Sequence, residues 1–587
     1  MSQLPPEGGA EQPWRHAIAR LPLLQGIDPQ LIPVLEQQVE WFNLLGGATL
    51  FHEGDPGDAL YIVTHGRLAV LRRSGEGGEV LLAEIGPGET VGEMAMVTGE
   101  PRSATVVALR DTTLGRLTKA DFDALLERHP RAMLMLTRLV VTRLRRANVG
   151  QWSGSPDRSA VLLPASQGLE VRDLADRLAA ALGRLGRAVS VLDHRCLGNS
   201  NEWFHGVEEA HDFTLYVADG GAVWARQCLR QADRRLAVAD AALAPGPTAE
   251  TWHQEPDGRR RPCDLVLLHE RAGHAAVGAW LDHVQPALHC HVRAGNAADV
   301  DRLARLLTGR AVGLVLSGGG ARGFAHIGAL TALREAGVPI DLVAGASMGA
   351  IVGAGVAAEW DDKEMRSRMR AAFVDSNPLG DYTLPLVALV KGKRVADRLR
   401  QHFPGLEIEQ LWRHFTCVST NLTKGDLELH RRGPVWRALR ASVALPGVMP
   451  PVVQRGEVLA DGGIINNFPV QAIEALGRGP IIGIDVAHDR AFVADDEDWE
   501  RPSLLRLFAR GRQDRPGILR LLMRAGTVNG LGIARSGRAA VDLLLTPSLE
   551  DIDMLDWKAF DRAVAAGYRA ASLALEGADH LAFISRD

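Results

Sequence analysis

Two motifs in the C-terminal half of the chain carry groups that could hydrolyse an ester. The first, Gly345–Gly349, reads Gly-Ala-Ser-Met-Gly and follows an apolar run, Ile340 to Ala344, that predicts a buried strand. A serine between two glycines on a sharp strand-to-helix turn exposes its hydroxyl as a nucleophile. Gly345 and Gly349 suit such an elbow because side chains there would collide with neighbouring backbone. Ser347 is the predicted nucleophile.

The second motif is a glycine-rich loop after another apolar run, Val312 to Ser317. It consists of Gly318, Gly319, Gly320, Ala321, Arg322 and Gly323. Backbone N–H groups at the start of a helix can stabilise negative charge on a carbonyl oxygen, so the loop is a predicted oxyanion hole. The loop also fits the dinucleotide fingerprint, with Glu335 and Asp341 bracketing the position of its acidic residue. That alternative leaves the serine elbow without a use, so we favour a hydrolase.

The predicted base lies in the triplet Asp461-Gly462-Gly463, which follows the apolar residues Val458 to Ala460. An aspartate at a strand end followed by two glycines can be presented in a tight turn, although such a triplet alone is most often a plain turn. Three histidines of the same region are weaker candidates for the base: His326, His414 and His430.

Together with His326–Gly328, Ala441–Pro446 and Pro450-Pro451, these motifs resemble the patatin-like phospholipase domain. The resemblance implies a Ser–Asp dyad without a histidine and without a metal or cofactor. Ser347 would attack the ester carbonyl, and Asp461 would accept its proton and later activate the deacylating water.

A different domain is predicted over residues 22–148. Short alternating segments between glycine turns predict a small antiparallel β-roll, followed by helices at Lys119–His129 and Ala132–Ala147. Several strings resemble a cyclic-nucleotide-binding domain: Leu50–Asp55, Gly57–Tyr61, Gly92-Glu93-Met94-Ala95 and Pro101-Arg102-Ser103-Ala104-Thr105.

The resemblance makes cAMP or cGMP a candidate regulatory ligand. Arg102 would pair with the cyclic phosphate, Ser103 and nearby amides would add hydrogen bonds, and Glu93 would accept the ribose 2′-hydroxyl. The alternative is a structural or docking module in which Arg102 forms a plain surface ion pair.

Residues 158–305 alternate strand-like and helix-like segments and predict a Rossmann-like α/β module. Five strands are predicted, at 160–163, 188–192, 213–217, 236–238 and 264–268. Pro164–Gly168 lacks the Gly-Lys-Ser/Thr of a P-loop, so we expect no catalysis there. His269 and Glu270 at a strand end more simply form a solvated loop.

The order of the predicted regions resembles the neuropathy target esterase family of lysophospholipases over residues 22–575. The predicted fold is multidomain α/β, with a parallel-rich sheet flanked by helices in the catalytic domain. Its parts are a tail (1–21), the β-roll domain (22–148), a linker (149–157), the α/β module (158–305), the patatin-like domain (306–490) and a helical extension (491–587).

Composition narrows the partners. The 587 residues carry a net charge of −5 without a dominant basic tract, which argues against a nucleic-acid partner. Five scattered cysteines favour a reducing compartment. The sequence shows neither a signal peptide nor a membrane span, so we expect a cytoplasmic protein that contacts the inner membrane face. A basic amphipathic segment, Leu504 to Arg524, could lie on anionic lipid or form an ordinary surface hairpin.

The sequence therefore predicts a serine hydrolase acting on acyl esters of lysophospholipids or phospholipids, with regulation by its N-terminal domain. One alternative is a broader carboxylesterase or phospholipase A. The other is a non-catalytic nucleotide-sensing scaffold, against which Ser347, Asp461 and the glycine loop all count.

Overall fold

The computed structural model describes residues 38–73, 79–128, 157–246, 261–269, 274–376, 378–384, 386–487 and 530–576. The predicted tail (1–21), the predicted helix Ala132–Ala147, the linker 149–157 except its last residue, Glu270 and the amphipathic segment 504–524 lie outside these residues. The chain divides into two compact units. The first comprises Met1–Ala239 and Gly246–Asp264, and the second comprises Asp240–Pro245 and Leu265–Asp587.

The first unit begins with the predicted β-roll. Its described strands form two antiparallel four-stranded sheets, ordered β1-β8-β3-β6 and β2-β7-β4-β5. Apolar side chains that alternate along these strands fill the core, among them Val63, Leu68, Val106 and Leu114. The strands are β1 (Glu40–Leu44), β2 (Thr49–Phe51), β3 (Ala59–His65), β4 (Leu68–Arg73), β5 (Glu79–Ile85), β6 (Thr90–Val91), β7 (Thr105–Ala108) and β8 (Thr112–Thr118), with helices α1 (Glu93–Thr98) and α2 (Lys119–Arg128).

The first unit continues with four parallel strands in the order β10-β11-β9-β12. Strands that are apolar on both faces are typical of a parallel sheet covered by helices. The elements are β9 (Ser159–Pro164), α3 (Arg172–Arg184), β10 (Val189–Leu192), α4 (Asn201–Ala210), β11 (Phe213–Val217), α5 (Ala222–Gln231) and β12 (Arg234–Asp240). Each strand overlaps one of the predicted segments.

Buried ion pairs join the β-roll to these parallel strands. Arg110 contacts Asp233 at 3.1 Å and Glu208 at 2.5 Å. Arg67 contacts Asp157 at 3.0 Å and Asp233 at 3.8 Å. Because Asp233 is shared by both arginines, it is the centre of this contact.

Strand β13 (Cys263–His269), which lies in the second unit from Leu265 onward, runs parallel to β14 (His289–Arg293), with Leu265 opposite His289. The strand β14 was not predicted. Helices α6 (Val277–Val284) and α7 (Ala297–Leu307) accompany the pair.

The main sheet of the second unit has eight described strands, ordered β19-β20-β17-β16-β15-β21-β22, with β18 paired to β17. These strands are β15 (Gly313–Leu316), β16 (Leu342–Ala346), β17 (His414–Asn421), β18 (Asp426–His430), β19 (Val452–Gln454), β20 (Glu457–Asp461), β21 (Ile481–Ile484) and β22 (Leu543–Leu545). The helices are α8 (Ala325–Glu335), α9 (Met348–Ala357), α10 (Asp362–Phe373), α11 (Lys393–His402), α12 (Val435–Ser442), α13 (Gln471–Glu474), α14 (Gly530–Ala539) and α15 (Phe560–Glu576).

The C-terminal extension is partly sheet rather than wholly helical. Strand β22 adds to β21 in parallel, with Leu543 opposite Ile482. Helix α15 crosses α8 so closely that a side chain on Gly328 would meet the backbone of Val564, and one on Gly567 would meet that of Ala325. Glycine at both positions is what allows this approach.

Strand register determines which loops meet. Strands β15, β16 and β17 are parallel, so the glycine loop after β15 and Ser347 after β16 lie at the same edge. Ala346 is opposite Val418, and Ser419, the next residue of β17, is opposite Asp461 on antiparallel β20. The pairing therefore brings Ser347 and Asp461 to the same level of the sheet.

Candidate active site

The strand-to-helix turn at Ser347 is strained. Its backbone has φ 50° and ψ −121°, a conformation that non-glycine residues rarely adopt and that costs about 1–3 kcal/mol. A side chain on Gly345 would lie 2.6 Å from the carbonyl oxygen of Gly349, and one on Gly349 would lie 2.3 Å from that of Leu316. Small residues on both sides of the serine are what allow the chain to turn this sharply.

The serine hydroxyl lies against the aspartate. Ser347 Oγ donates to Asp461 Oδ2 at 2.9 Å, while Asp461 Oδ1 accepts from the N–H of Gly463 at 2.8 Å. Asp461 is 4% exposed. Gly462 is required in this turn because a side chain there would meet the carbonyl oxygen of Val418 at 2.5 Å.

The environment of Asp461 favours its protonated form. Burial raises the pKa of this carboxyl to about 6, against the opposing effect of its hydrogen bonds with Gly463 and Ser347. Neither donor is charged. A carboxylate of this pKa is largely ionised at neutral pH yet is a stronger base than an exposed aspartate.

The six residues of the glycine loop are not equivalent. The N–H of Gly318 donates to Asn467 O at 3.2 Å, that of Ala321 to Met554 O at 2.8 Å, and that of Arg322 to Gly319 O at 3.2 Å. Within the described residues, the N–H groups of Gly319 and Gly320 have no such partner.

Close packing holds this loop beside Ser347. A side chain on Gly318 would lie 3.0 Å from Ser347 Cβ, and one on Gly323 would lie 2.4 Å from Met348 Cγ. Gly320 has φ 56°, and a side chain there would meet Met554 O at 2.3 Å. The loop and the serine elbow therefore form one compact arrangement.

Two polar residues of this arrangement were not predicted as site residues. Ser442 Oγ accepts the N–H of Ser347 at 2.9 Å, which fixes the elbow from helix α12. Asn467 Nδ2 donates to Gly318 O at 3.0 Å. Ser442 lies in Ala441–Pro446, one of the strings that carry the resemblance, and Asn467 follows the Asp461–Gly463 triplet. Local sequence does not indicate which side chain there contacts the elbow or the loop.

The three described histidines that were weaker candidates for the base do not hydrogen-bond to the dyad. His326 Nε2 bonds to Ser317 O at 2.8 Å, and His430 Nε2 bonds to Ser419 Oγ at 2.7 Å. Burial lowers the pKa of each to about 4 and that of His414 to about 3. None of the three has a hydrogen bond to Ser347 or Asp461 among the described residues.

One group of side chains in the described residues has the composition of a metal site: His269, His274 and His291. His291 Nε2 bonds to Glu409 O at 2.9 Å, so it carries the proton, and His291 Nδ1 is left to accept from His269 Nε2 at 2.8 Å. Since this chain of hydrogen bonds uses both nitrogens of His291, the group is satisfied as buried packing around Trp412.

The two ends of the predicted nucleotide cassette, Gly92 and Arg102, contact each other in the structure. Arg102 is buried and donates to Ala59 O at 2.8 Å and Gly92 O at 3.2 Å, with its guanidinium 4.2 Å from the Phe51 ring centroid. Arg102 also forms an ion pair with the exposed Asp58 at 3.4 Å, as in the alternative, but the arginine itself is buried rather than on the surface.

The remaining cassette residues divide by exposure. Glu93, Ala95 and Ala104 are buried, whereas Met94 and Ser103 are exposed. Gly92 has φ 91°, and a side chain there would meet the Arg102 guanidinium at 2.4 Å. Glycine at this position therefore permits the contact between the two ends of the cassette.

Family models match three regions of the chain. Residues 314–473 match patatin-like phospholipase, 42–129 match the cyclic nucleotide-binding domain, and 158–305 match the neuropathy target esterase family P-loop like domain. The first two matches confirm the predicted patatin-like and cyclic-nucleotide-binding-like domains. Together with the site geometry, the match over 314–473 defines a patatin-like phospholipase domain.

Relatives over the whole chain identify the family. An uncharacterised NTE family protein of Mycobacterium tuberculosis is 32% identical over 582 residues, covering 96% of each chain. The chain belongs to the neuropathy target esterase (NTE) family. It is also 28% identical to lysophospholipase NTE1 of Coccidioides immitis, over 92% of this chain and 40% of that one. Patatin-like phospholipase domain-containing protein 6 of Pongo abelii is 32% identical, over 76% of this chain and 38% of that one.

Within the described ranges, no helix combines the length and the apolar character that crossing a bilayer requires.

Proposed function

We propose that the chain is a lysophospholipase that cleaves acyl esters with a Ser347–Asp461 dyad. The observation that supports it is the 2.9 Å hydrogen bond from Ser347 Oγ to a buried carboxylate of raised pKa, at a strained elbow beside a glycine loop. A surface serine in a plain turn would need none of these features.

Acylation follows from this geometry. Ser347 Oγ attacks the ester carbonyl carbon as Asp461 Oδ2 takes the hydroxyl proton. The N–H groups of Gly319 and Gly320 stabilise the tetrahedral oxyanion, and each such donor is worth about 3 kcal/mol. The C–O bond to the glycerol moiety then breaks, and Asp461 returns the proton to the departing alkoxide.

Deacylation uses the same base. Asp461 takes a proton from a water that attacks the acyl carbonyl, and the fatty acid leaves as the C–O bond to Ser347 breaks. The proton held by Asp461 then passes back to Ser347 Oγ. A single carboxylate serves both half-reactions because it accepts a proton and gives it back within each one.

The substrate class rests on the family. The Coccidioides relative is named a lysophospholipase and the Pongo relative a patatin-like phospholipase domain-containing protein. This chain spans about 40% of the length of each. Lysophospholipids are therefore the first substrates to test, with diacyl phospholipids and simple carboxylic esters as the alternatives.

We also propose that the β-roll binds cAMP or cGMP and regulates hydrolysis. The match to the cyclic nucleotide-binding domain and the conformation of the Gly92–Arg102 turn support this role. Binding should raise the free energy of unfolding by about 2.7 kcal/mol at a hundredfold excess of ligand over Kd. If neither nucleotide changes the melting temperature or the hydrolysis rate of the wild type, the proposed regulation is contradicted.

The dyad is tested by release of fatty acid from lysophosphatidylcholine and diacyl phosphatidylcholine, comparing wild type with Ser347→Ala. We expect hydrolysis of the lyso-lipid to be lost in the variant, together with labelling by a fluorophosphonate. Labelling of Ser347 without turnover of either lipid would keep the serine hydrolase and reject the substrate. Absence of both would favour the non-catalytic scaffold.

A further inference from the structure

An apolar surface projects from the second unit between α10 and α11. Four of its large side chains are mostly exposed: Leu386 (90%), Leu384 (78%), Tyr382 (71%) and Val387 (68%). Apolar side chains grouped this closely on a surface mark a site of interaction with a protein or a membrane. We refer to the described residues 381–384 and 386–391 as the apolar hairpin.

The apolar hairpin is a folded element. The N–H of Thr383 donates to Leu389 O at 3.0 Å, and that of Lys391 donates to Asp381 O at 2.9 Å. Ala388 and Val390 are buried in the same segment. Since its base is hydrogen-bonded and anchored, the apolar tip is presented to solvent in a defined direction.

The base of the apolar hairpin is attached to the chain that holds the dyad. The N–H groups of Leu389 and Val390 donate to Gly447 O at 2.9 Å and Val448 O at 3.0 Å. Three residues before Gly447, Ala444 O accepts the N–H of Asp461 at 2.9 Å. A partner bound to this hairpin is therefore held beside the segment in which Ala444 contacts Asp461.

Two exposed lysines lie at the base of the apolar hairpin. Lys391 and Lys393 are exposed, and among the described residues neither has an acidic ion-pair partner. The carboxylate of Asp381 instead accepts the backbone N–H of Lys393 at 2.8 Å. An apolar tip above exposed lysines matches the interface of an anionic bilayer, where acyl chains lie beneath charged headgroups.

We propose that the apolar hairpin inserts into the interfacial layer of an anionic phospholipid bilayer. The bilayer is favoured over a protein partner because the lysines complement headgroup charge and because the hairpin adjoins the segment that carries the dyad contacts. Docking would let a lipid ester pass from the membrane to Ser347, a consequence that rests on the lysophospholipase function proposed above. Docking itself does not require that function.

The test is co-sedimentation of the full chain, in a Ser347→Ala background, with vesicles of phosphatidylglycerol and phosphatidylcholine. Replacing Leu384 and Leu386 together with serine should lower the partition coefficient by about tenfold or more, since two exposed leucines no longer enter the bilayer. Leu573→Ser is the matched control, because Leu573 is 68% exposed in the same unit but lies on helix α15. It should leave the partition coefficient unchanged.

The lysines provide a second measurement. Lys391→Gln with Lys393→Gln should lower binding to anionic vesicles by about fivefold per lysine and leave binding to pure phosphatidylcholine unchanged. Partition coefficients of the leucine and lysine variants equal to that of wild type would overturn the proposal. A dimer in sedimentation velocity that Leu384→Ser with Leu386→Ser dissociates, with vesicle binding unaltered, would assign the hairpin to a second copy of the chain instead.

Turnover separates this inference from the proposed function. With Ser347 intact, the leucine variant should show a lower ratio of lyso-lipid hydrolysis in vesicles to hydrolysis of water-soluble 4-nitrophenyl butyrate. Vesicle binding that depends on the hairpin, without hydrolysis of any lipid, would reject the lysophospholipase and keep the docking surface. Lipid hydrolysis with hairpin-independent binding would do the reverse.

Discussion

Asp461 and Asp233 are both buried aspartates, yet their surroundings shift the pKa of the two carboxyl groups in opposite directions. Burial raises the pKa of Asp461 to about 6, because its partners are a hydroxyl and an N–H. Burial would also raise the pKa of Asp233, but the charges of Arg110 and Arg67 outweigh it and lower the pKa to about 2. The first carboxylate can exchange a proton near neutral pH, and the second cannot.

The comparison shows that burial alone does not decide whether the pKa of an aspartate rises or falls. A cation beside a buried carboxylate holds it ionised and turns it into a structural anchor. Leaving the carboxylate with neutral donors keeps it reactive and costs stability, a balance often found at catalytic sites. Replacing each aspartate by asparagine tests whether the two carboxylates have different roles.

The largest expected effect is on turnover. Asp461→Asn should lower kcat/KM for a water-soluble ester by about 10³-fold or more, because the general base is lost while the shape of the side chain is kept. Asp233→Asn should leave kcat/KM of the folded enzyme within about twofold. Initial rates on 4-nitrophenyl butyrate measure both, and an Asp461→Asn enzyme that keeps a tenth of the wild-type value would remove Asp461 as the base.

Stability should respond in the opposite order. Asp233→Asn leaves the guanidinium groups of Arg110 and Arg67 without their shared carboxylate and should lower the free energy of unfolding by about 3–5 kcal/mol. Asp461→Asn should leave the urea midpoint unchanged or slightly raised, since it removes an unpaired buried charge. Equal losses in the two variants would show that the dyad is as much a structural contact as the ion-pair centre.

The turns that carry Ser347 and Asp461 were largely predictable from the sequence. Glycines on both sides of Ser347 and after Asp461 mark sharp turns at strand ends, and local residue types are enough to predict such turns. Their meeting depends on the register of β16, β17 and β20. The resemblance implied that meeting, but residue spacing alone does not.

The ion pair between Asp233 and Arg110 was not predictable from the sequence. Asp233 lies 123 residues from Arg110 in the chain, and nothing in either local sequence indicates that they meet. The exposure of the apolar hairpin was not predictable either, because the run Leu386 to Val390 is as apolar as a buried strand. Only tertiary packing, which buries Ala388 and Val390 and exposes their neighbours, separates the two outcomes.

The pH dependence sharpens the contrast further. Because Asp461 must be ionised to act as a base, kcat/KM should fall below pH about 6, reaching about a tenth of its plateau at pH 5. The stability that Asp461 contributes is present at acid pH and lost as pH rises through about 6, because its pKa is raised by folding. Asp233 has a lowered pKa, so its contribution is lost only as pH falls toward about 2.

Rates on the soluble ester between pH 4.5 and 8 measure the acid limb. Asp233→Asn serves as the control, since it should leave the position of that limb unchanged. A limb near pH 4 in the wild type would mean that Asp461 titrates as an exposed carboxyl and that burial does not tune it.

The smallest expected effect concerns how the elbow is held. Ser442→Ala removes the acceptor of the Ser347 N–H bond, so the strained turn loses one fixed contact while Asp461 stays ionised. We expect kcat to fall about fivefold, equivalent to about 1 kcal/mol, with the acid limb still near pH 6. Ser419→Ala is the matched control, because the hydroxyl of Ser419 is equally buried but bonds to His430. A shift of the acid limb in Ser442→Ala would instead mean that Ser442 acts on the carboxylate, and the elbow and the base would have to be treated as one coupled unit.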